Sequence, residues 1–336
     1  NFLNHFSRFF CQKHSINRGE KMKIAIVGAT GLVGRKIIEQ LDGKSHELFC
    51  YASKRSKGKE ICGHKIIPLS TLSVKKVDYA IFSAGSEISK KYAQKFINKG
   101  ATVIDNSSAF RRIDNVPLVV PEINGEKASS SKLIANPNCS TIQVVLVLYY
   151  LSKIAKIKRV IVSTYQSASG AGEKGIYDLE NKTTLKIPQI LCDDLVPQIG
   201  NFLDNGYSEE EDKIMFETQK ILGENIKISA TAVRVPIHFC HGASVNVEFE
   251  ENISLKTIYE KLENSNGIVL LDNPISSTYP LCNIAKQTTK VYVGRIRRDF
   301  SVENGINFWV VADNLYKGAS TNAIQIMNIL SKEKAK

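Results

Sequence analysis

The sequence predicts an α/β chain of two domains, and three of its features carry that prediction. A β-rich run at residues 23–27 passes directly into Gly28-Ala29-Thr30-Gly31-Leu32-Val33-Gly34, and residues 35–41 then place Ile37, Ile38 and Leu41 at helical spacing. Strand and helix signals go on alternating to residue 105, the rhythm of a parallel sheet flanked by helices. Beyond residue 159 the strands follow one another more closely, which gives that half antiparallel character. At 336 residues the chain is also longer than one small core organises. The expectation is a Rossmann-like domain over residues 22–140 and an α+β domain over residues 141–315. A last helix within residues 316–336 returns to complete the first domain.

Taken in order, the strand, Gly-x-x-Gly-x-x-Gly and helix make a dinucleotide-phosphate turn. Gly28 permits the sharp bend, Gly31 a close backbone approach to pyrophosphate, and Gly34 tight packing of helix on strand. The next strand, residues 47–52, ends in Ser53-Lys54-Arg55-Ser56-Lys57-Gly58-Lys59, with no acid before Glu60. An NAD-preferring site usually carries an acid here for the ribose 2′-hydroxyl. Hydroxyls and a guanidinium suit a 2′-phosphate instead, so NADP is the expected cofactor; a solvated basic loop would share this composition. A strand at residues 78–82 ends in Ser83-Ala84-Gly85-Ser86, where ligands of parallel sheets bind. A helix at 88–99 and a strand at 102–105 follow, then Asn106-Ser107-Ser108-Ala109-Phe110-Arg111-Arg112, in which Arg111 is free to face an anion or solvent.

Pro137-Asn138-Cys139-Ser140-Thr141 opens an apolar run at residues 142–151. A thiol at a helix start can be acidified by backbone N–H groups and the helix dipole, as a nucleophile requires. A buried structural cysteine has the same local signature. The strand at 159–165 leads into a flexible polar loop, Gln166-Ser167-Ala168-Ser169-Gly170-Ala171-Gly172, suited to close approach of a ligand. Residues 173–207 give mixed signals, with Pro188 and Pro197 marking irregular chain. Residues 208–222 read as a helix capped by Ser208, with Glu209, Glu210 and Glu211 in its first turn. Glu210 and Lys213 share a face of it, as a solvated ion pair also would.

Residues 227–237 alternate as a strand and run on to Arg234 and His241. Seven positions separate these two, which on a straight strand would point them to opposite faces, but Pro236 makes a break that lets both face one cleft. Strands at 244–249, 267–271, 290–297 and 305–312 and a helix at 254–263 complete the second domain. Asp313-Asn314-Leu315-Tyr316-Lys317-Gly318-Ala319 then precedes a helix at 320–331.

Composition narrows the function classes. Hydrophobic content of 43% and charged content of 23% are ordinary for a globular chain. Seven scattered cysteines without a Cys-x-x-Cys pair point to reduced thiols in a cytosol-like compartment and to no zinc or other metal site. No apolar run reaches the roughly 20 residues of a membrane span. The net charge of +12 favours anionic partners. Its spread along the chain, without an aromatic-basic motif, suits phosphorylated small molecules, and no nucleic acid or membrane partner is expected. Residues 1–21, rich in Phe and basic side chains, are set aside from the fold as a presequence, a translated upstream stretch or an expression artefact. The location is cytoplasmic, or organellar if that segment is a genuine presequence.

Eight stretches in matching order resemble the aspartate-β-semialdehyde dehydrogenase family: residues 28–34, 53–59, 106–111, 137–141, 166–172, 210–222, 234–241 and 313–319. The resemblance runs from residue 22 to about residue 330. It implies an N-terminal NADP-binding domain and a catalytic and dimerisation domain of the glyceraldehyde-3-phosphate-dehydrogenase-like type. It implies NADPH-dependent reduction of L-aspartyl-β-phosphate to L-aspartate-β-semialdehyde and inorganic phosphate through a cysteine thioester, on the way to lysine, threonine, methionine and isoleucine.

By the same resemblance Cys139 is the nucleophile, His241 the acid/base, Gln166 a residue that orients substrate, and Asn138 one that positions the acyl oxygen. Arg234 clamps the α-carboxylate, Glu210 the α-ammonium, and Arg111 and Lys213 the phosphate. NADP contacts are expected at Gly28, Thr30, Gly31, Leu32, Val33, Ser53, Arg55, Ser56, Ser83, Ala84, Gly85, Ser169, Gly170 and Asn314. A homodimer or a dimer of dimers is implied too.

Three positions depart from the family pattern: Tyr316 where Arg is common, Ser in the 83–86 turn where a second Gly is common, and Cys240 directly before His241. N-acetyl-γ-glutamyl-phosphate reductase shares the chemistry but needs no ammonium-binding Glu210. The Ser-Cys-Thr-Thr-Asn context of glyceraldehyde-3-phosphate dehydrogenase is absent. A catalytically silent NADP-binding homologue is the remaining alternative, against which stands the joint presence of Cys139, Gln166, Arg234 and His241.

Overall fold

A computed structural model describes residues 21–223 and 226–334. The extension expected at residues 1–21 lies, but for Lys21, outside the described residues, as do the last two residues of the expected C-terminal helix.

The first half contains β1 (Lys23–Val27), α1 (Leu32–Leu41), β2 (Glu47–Ala52), β3 (Glu60–Ile61), β4 (His64–Lys65), β5 (Ile67–Pro68), β6 (Tyr79–Phe82), α2 (Ser86–Ile97), β7 (Thr102–Asp105), α3 (Pro121–Asn124) and β8 (Leu133–Ala135). Six strands form one parallel sheet in the order β5-β2-β1-β6-β7-β8, while β3 and β4 pair as a small ribbon. Strand side chains alternate between faces, so Ile24 and Ile26 join Ile37, Ile38, Ile324 and Met327 on one side. Ala25 and Val27 join Phe82, Tyr92 and Phe96 on the other. Both faces must be covered in a parallel sheet, and helix α9 (Thr321–Lys334), from the far end of the chain, supplies part of one cover. The chain leaves β1 toward β2 on one side and returns at β6 on the other. A crevice therefore opens at the carboxyl ends of β1 and β6.

The second half contains α4 (Cys139–Ser152), β9 (Ile157–Gln166), α5 (Glu173–Asn181), α6 (Glu209–Leu222), β10 (Lys227–Arg234), β11 (His241–Phe249), α7 (Leu255–Glu263), β12 (Ile268–Leu270), α8 (Cys282–Ala285), β13 (Val291–Asp299) and β14 (Gly305–Ala312). They build a second sheet in the order β10-β9-β11-β14-β13-β12. Its four central strands are antiparallel, and the edge pairs β10/β9 and β12/β13 are parallel, so the sheet is mixed. One face packs on α4 and α7 through Val160, Val162, Val245, Val247, Phe308 and Val310. Helix α4 is apolar all round, as befits a helix enclosed in a core. Among the described residues no helix is long and apolar enough to cross a membrane.

The structure moves several expected boundaries. Helix α1 begins at Leu32, so Gly34 lies inside its first turn. A Cβ there would stand 2.1 Å from the Gly28 carbonyl oxygen, which only glycine avoids. Helix α2 begins at Ser86 and β10 stops at Arg234. Helix α5 occupies the start of the stretch with mixed signals, ahead of Pro188 and Pro197. Its Asp178 carboxylate accepts from the Thr183 hydroxyl and from the backbone N–H groups of Leu185, Lys186 and Ile187, fixing the loop that follows. That support comes from one polar side chain closing a loop onto itself, which hydrophobic periodicity does not register.

Candidate active site

Cys139 is the first residue of α4. The Asn138 side chain caps the helix, its Oδ1 accepting from Ser140 N (2.9 Å) and Thr141 N (3.2 Å). Asn138 Nδ2 donates to Glu210 Oε1 at 2.8 Å. Its Oδ1 and one of its two Nδ2 hydrogens thus fix the turn. Gly318 stands behind the nucleophile: a Cβ there would lie 2.9 Å from Cys139 Cβ.

Three further groups come from one row of the second sheet. Arg234 ends β10, Gln166 ends β9 and His241 begins β11, and the register sets Arg234 beside Gln166 and Gln166 beside His241. Cross-strand neighbours share a face, so all three point toward the side covered by α4. The break at residues 235–240 puts Arg234 and His241 on separate strands flanking β9, which resolves their odd spacing. All three are buried, at 5%, 1% and 0% exposure.

Helix α6 adds the carboxylates and a cation. Ser208 and Glu211 form a capping box, and Glu211 Oε1 also accepts from Ala232 N of β10 at 2.9 Å, tying the helix to the sheet edge. Glu210 faces inward, accepting from Asn138 Nδ2 and from Gln166 Nε2 (3.2 Å), with Lys213 Nζ at 3.6 Å. Burial opposes its charge, but Lys213, Asn138, Arg234 and Gln166 together hold its carboxyl below the usual range. Arg111 arrives from the loop after β7 and is 8% exposed. It donates to Glu217 Oε1 (2.9 Å) and to the Asn106 carbonyl (2.7 Å), and its Nε is buried with no partner among the described residues.

The resting electrostatics are those of a protonated thiol and a neutral imidazole. Cys139 is half-buried, and its crowded surroundings push the thiol up to about 12. Burial is the main cause, Glu210 adds to it, and Arg111, Arg234 and the Ser140 N–H act against it. The helix start alone would have lowered it; here burial wins. Burial, then the Arg234 charge, lowers His241 to about 3. His241 Nδ1 lies 3.0 Å from the Ser167 N–H and 3.1 Å from the Cys240 carbonyl. The first donates to the bare nitrogen and the second accepts from the protonated one, so each protonation state of the ring has a partner. Nε2 is buried without one among the described residues. Gly170 leaves room beside it, since a Cβ would stand 3.1 Å from Nε2 and 2.7 Å from Arg234 Nη1.

The residues expected to hold a dinucleotide fall into three groups. Gly28 has φ +95°, and a Cβ on it would lie 2.7 Å from the Ser83 carbonyl oxygen. The turns at 28–34 and 83–86 therefore sit side by side at the switch point, the second anchored by Ser83 N donating to Val27 O (2.7 Å). This glycine-lined cradle at the start of α1 fits a pyrophosphate. Ser53, Arg55 and Ser56 follow β2, next to β1 in the sheet, with Ser53 and Arg55 exposed. Ser169 and Asn314 are buried instead in a network behind His241: Asn314 Oδ1 accepts from Cys240 N (3.0 Å) and Ser169 Oγ (3.2 Å). They support the imidazole loop.

Sequence reasoning missed Glu217, the Ser167 N–H and Gly318. Glu217 had a signal, standing seven positions from Glu210 and four from Lys213 on one helix face. The other two had none, because their role is a backbone position fixed by distant chain.

Two family models cover most of the chain. Residues 23–131 match the semialdehyde dehydrogenase NAD binding domain, and residues 150–317 match the semialdehyde dehydrogenase dimerisation domain. An aspartate-semialdehyde dehydrogenase of Aquifex aeolicus is 46% identical over 93% of this chain and 98% of its own. The crystal structure of aspartate semialdehyde dehydrogenase II from Vibrio cholerae, complexed with ASA, superposes with a TM-score of 0.88 at 39% identity, covering 94% of this chain and 99% of its own. The Candida albicans enzyme with NADP shares the fold at a TM-score of 0.76 and 23% identity, over 94% of this chain and all (100%) of its own.

Proposed function

This chain belongs to the aspartate-semialdehyde dehydrogenase family, and from that membership we propose that its site reduces L-aspartyl-β-phosphate with NADPH to L-aspartate-β-semialdehyde and inorganic phosphate. The observation that carries the reading is the buried row Arg234, Gln166, His241 facing the start of the Cys139 helix. Thiol, acid/base and two amino-acid anchors are what acyl-phosphate reduction of a free amino acid requires. Glu210, buried among amide donors, is the group for an α-ammonium, which an N-acetylated substrate lacks.

Arg234 takes the α-carboxylate and Glu210 the α-ammonium, so the β-acyl carbon is presented to Cys139. Neutralising Arg234 removes a charge that holds His241 low, making the imidazole a better base as substrate arrives. His241 accepts the thiol proton, the sulfur attacks the acyl carbon, and the C–O bond to phosphate breaks, leaving a thioester. Arg111 and Lys213 receive the departing phosphate. When bound, NADPH supplies the hydride that the acyl carbon needs; the cradle at 28–34 and 83–85, with Ser53, Arg55 and Ser56 for the 2′-phosphate, is where it would be held. His241 returns its proton as the C–S bond breaks and the aldehyde leaves.

The chain is further proposed to act as a homodimer. The dimerisation-domain match and a sheet face that leaves Ile161 and Tyr165 more than a third exposed support this. The decisive assay runs backwards, with aspartate semialdehyde, inorganic phosphate and NADP, following reduced nicotinamide by absorbance. Cys139→Ala is expected to abolish phosphate-dependent reduction while NADPH binding stays within about twofold. Full activity in that variant would sink the assignment.

A further inference from the structure

Glu217 lies two turns beyond Glu210 on α6 and is 1% exposed. Its two carboxylate oxygens serve two different parts of the site. Oε1 accepts from Arg111 Nη1 at 2.9 Å, and Oε2 accepts from the backbone N–H of Asn138 at 2.6 Å. Asn138 caps the helix that Cys139 begins. Arg111 is held at a second point by the Asn106 carbonyl, and its buried Nε has no partner among the described residues, which leaves that donor for an anion.

We propose that Glu217 is a positioning residue for the acyl-transfer step, one rigid carboxylate fixing the distance between the phosphate-receiving Arg111 and the turn that carries Cys139. The inference rests on the reaction proposed above and assigns Glu217 no contact with substrate. Addition of sulfur to the face of the acyl carbonyl, followed by loss of phosphate from the same tetrahedral carbon, needs the thiol and the phosphate-receiving cation held at fixed positions around that carbon. A misplacement of about 1 Å can cost roughly 100-fold in rate. A link of two hydrogen bonds between those positions leaves little freedom for it. The bonds are charge-assisted, and burial shields them from water, so they hold Arg111 more firmly than an exposed pair would. The same carboxylate offsets the Arg111 charge at rest, so an otherwise unpaired buried cation is avoided before phosphate arrives.

Glu217→Gln tests this because an amide keeps the shape but offers one acceptor, so it cannot accept from both Arg111 and Asn138. In the phosphorylating assay, E217Q is expected to raise the KM for phosphate roughly tenfold and lower kcat roughly 100-fold, with the KM values for semialdehyde and NADP within about twofold. Glu217→Asp, which keeps both acceptors and the charge, should recover about tenfold of the lost kcat. In an Arg111→Lys background, E217Q should cost less than about threefold more, because the clamp it acts through is already loosened.

Wild-type kinetic constants in E217Q would overturn the proposal, as would an equal loss for all three substrates with no recovery in E217D. So would full additivity with R111K. Should E217Q fail to give a cooperative thermal melt, E217D decides alone: a selective rise in phosphate KM supports the role, and unchanged or uniformly altered constants overturn it. Wild-type protein without phosphate-dependent NADP reduction would instead overturn the reaction itself, and this role with it.

Discussion

Cys139 and His241 are both uncharged at rest, and no hydrogen bond joins them among the described residues. The nucleophile is therefore quiet until substrate fills the site. With the thiol near 12, its thiolate fraction grows about tenfold with each pH unit through the neutral range. Alkylation of Cys139 by iodoacetamide, followed at its peptide by mass spectrometry, should accordingly rise log-linearly from about pH 6 to 9. His241, near 3, contributes no inflection in that window. A plateau near neutrality would mean that a thiolate–imidazolium pair already exists in the free enzyme. The glycines beside these groups matter for space: Gly170 borders His241 and Arg234, and Gly318 borders Cys139.

Among the elements, the turn at Tyr316–Ser320 connects the second sheet to α9 and passes behind the nucleophile. Lys317 in that turn is fully buried. Its Nζ donates to both oxygens of Glu122 at 2.8 Å and to Gln325 at 2.8 Å, joining α3 to α9. Burial lowers its pKa, with Glu122 opposing that change. Lys317→Met would leave the Glu122 carboxylate, 4% exposed, with only the Gln325 amide as a donor among the described residues. Losing one partner of such a pair costs about 3–5 kcal/mol. Urea unfolding should show that loss in K317M and recovery of most of it in K317M with Glu122→Gln. An unchanged midpoint in K317M would show the pair to be energetically silent. Helix α6 is the other organising element, because one of its faces carries Glu210, Lys213 and Glu217 while its capping box fixes where that face begins.

At the scale of the whole molecule, two sheets meet through α4, α6 and the returning α9, and the candidate site lies where they join. The core faces of both sheets are filled from within the chain. The outer face of the second sheet leaves Ile161 38% and Tyr165 37% exposed, with Tyr165 resting on Trp309 at a ring separation of 5.5 Å. Ile161→Glu on that face should turn a species of twice the chain mass into one of a single chain mass by sedimentation equilibrium. A dimeric I161E would place the dimer contact elsewhere.

Much of this was legible in the sequence, for identifiable reasons. The glycine turn, the parallel βαβ rhythm, the Asn138–Cys139 helix start and the Ser208 cap are local, governed by backbone sterics and side-chain period over a few residues. The tertiary structure alone aligned Arg234, Gln166 and His241 in one row, because register joins residues by hydrogen bonds between strands far apart in the chain. It also decided the charge state of the nucleophile. Desolvation depends on everything packed around Cys139, and it outweighs the helix end that the sequence displays. Glu217 falls between the two cases. Its helix face could be read from spacing, but its partners, at positions 111 and 138, belong to chain brought near only by folding.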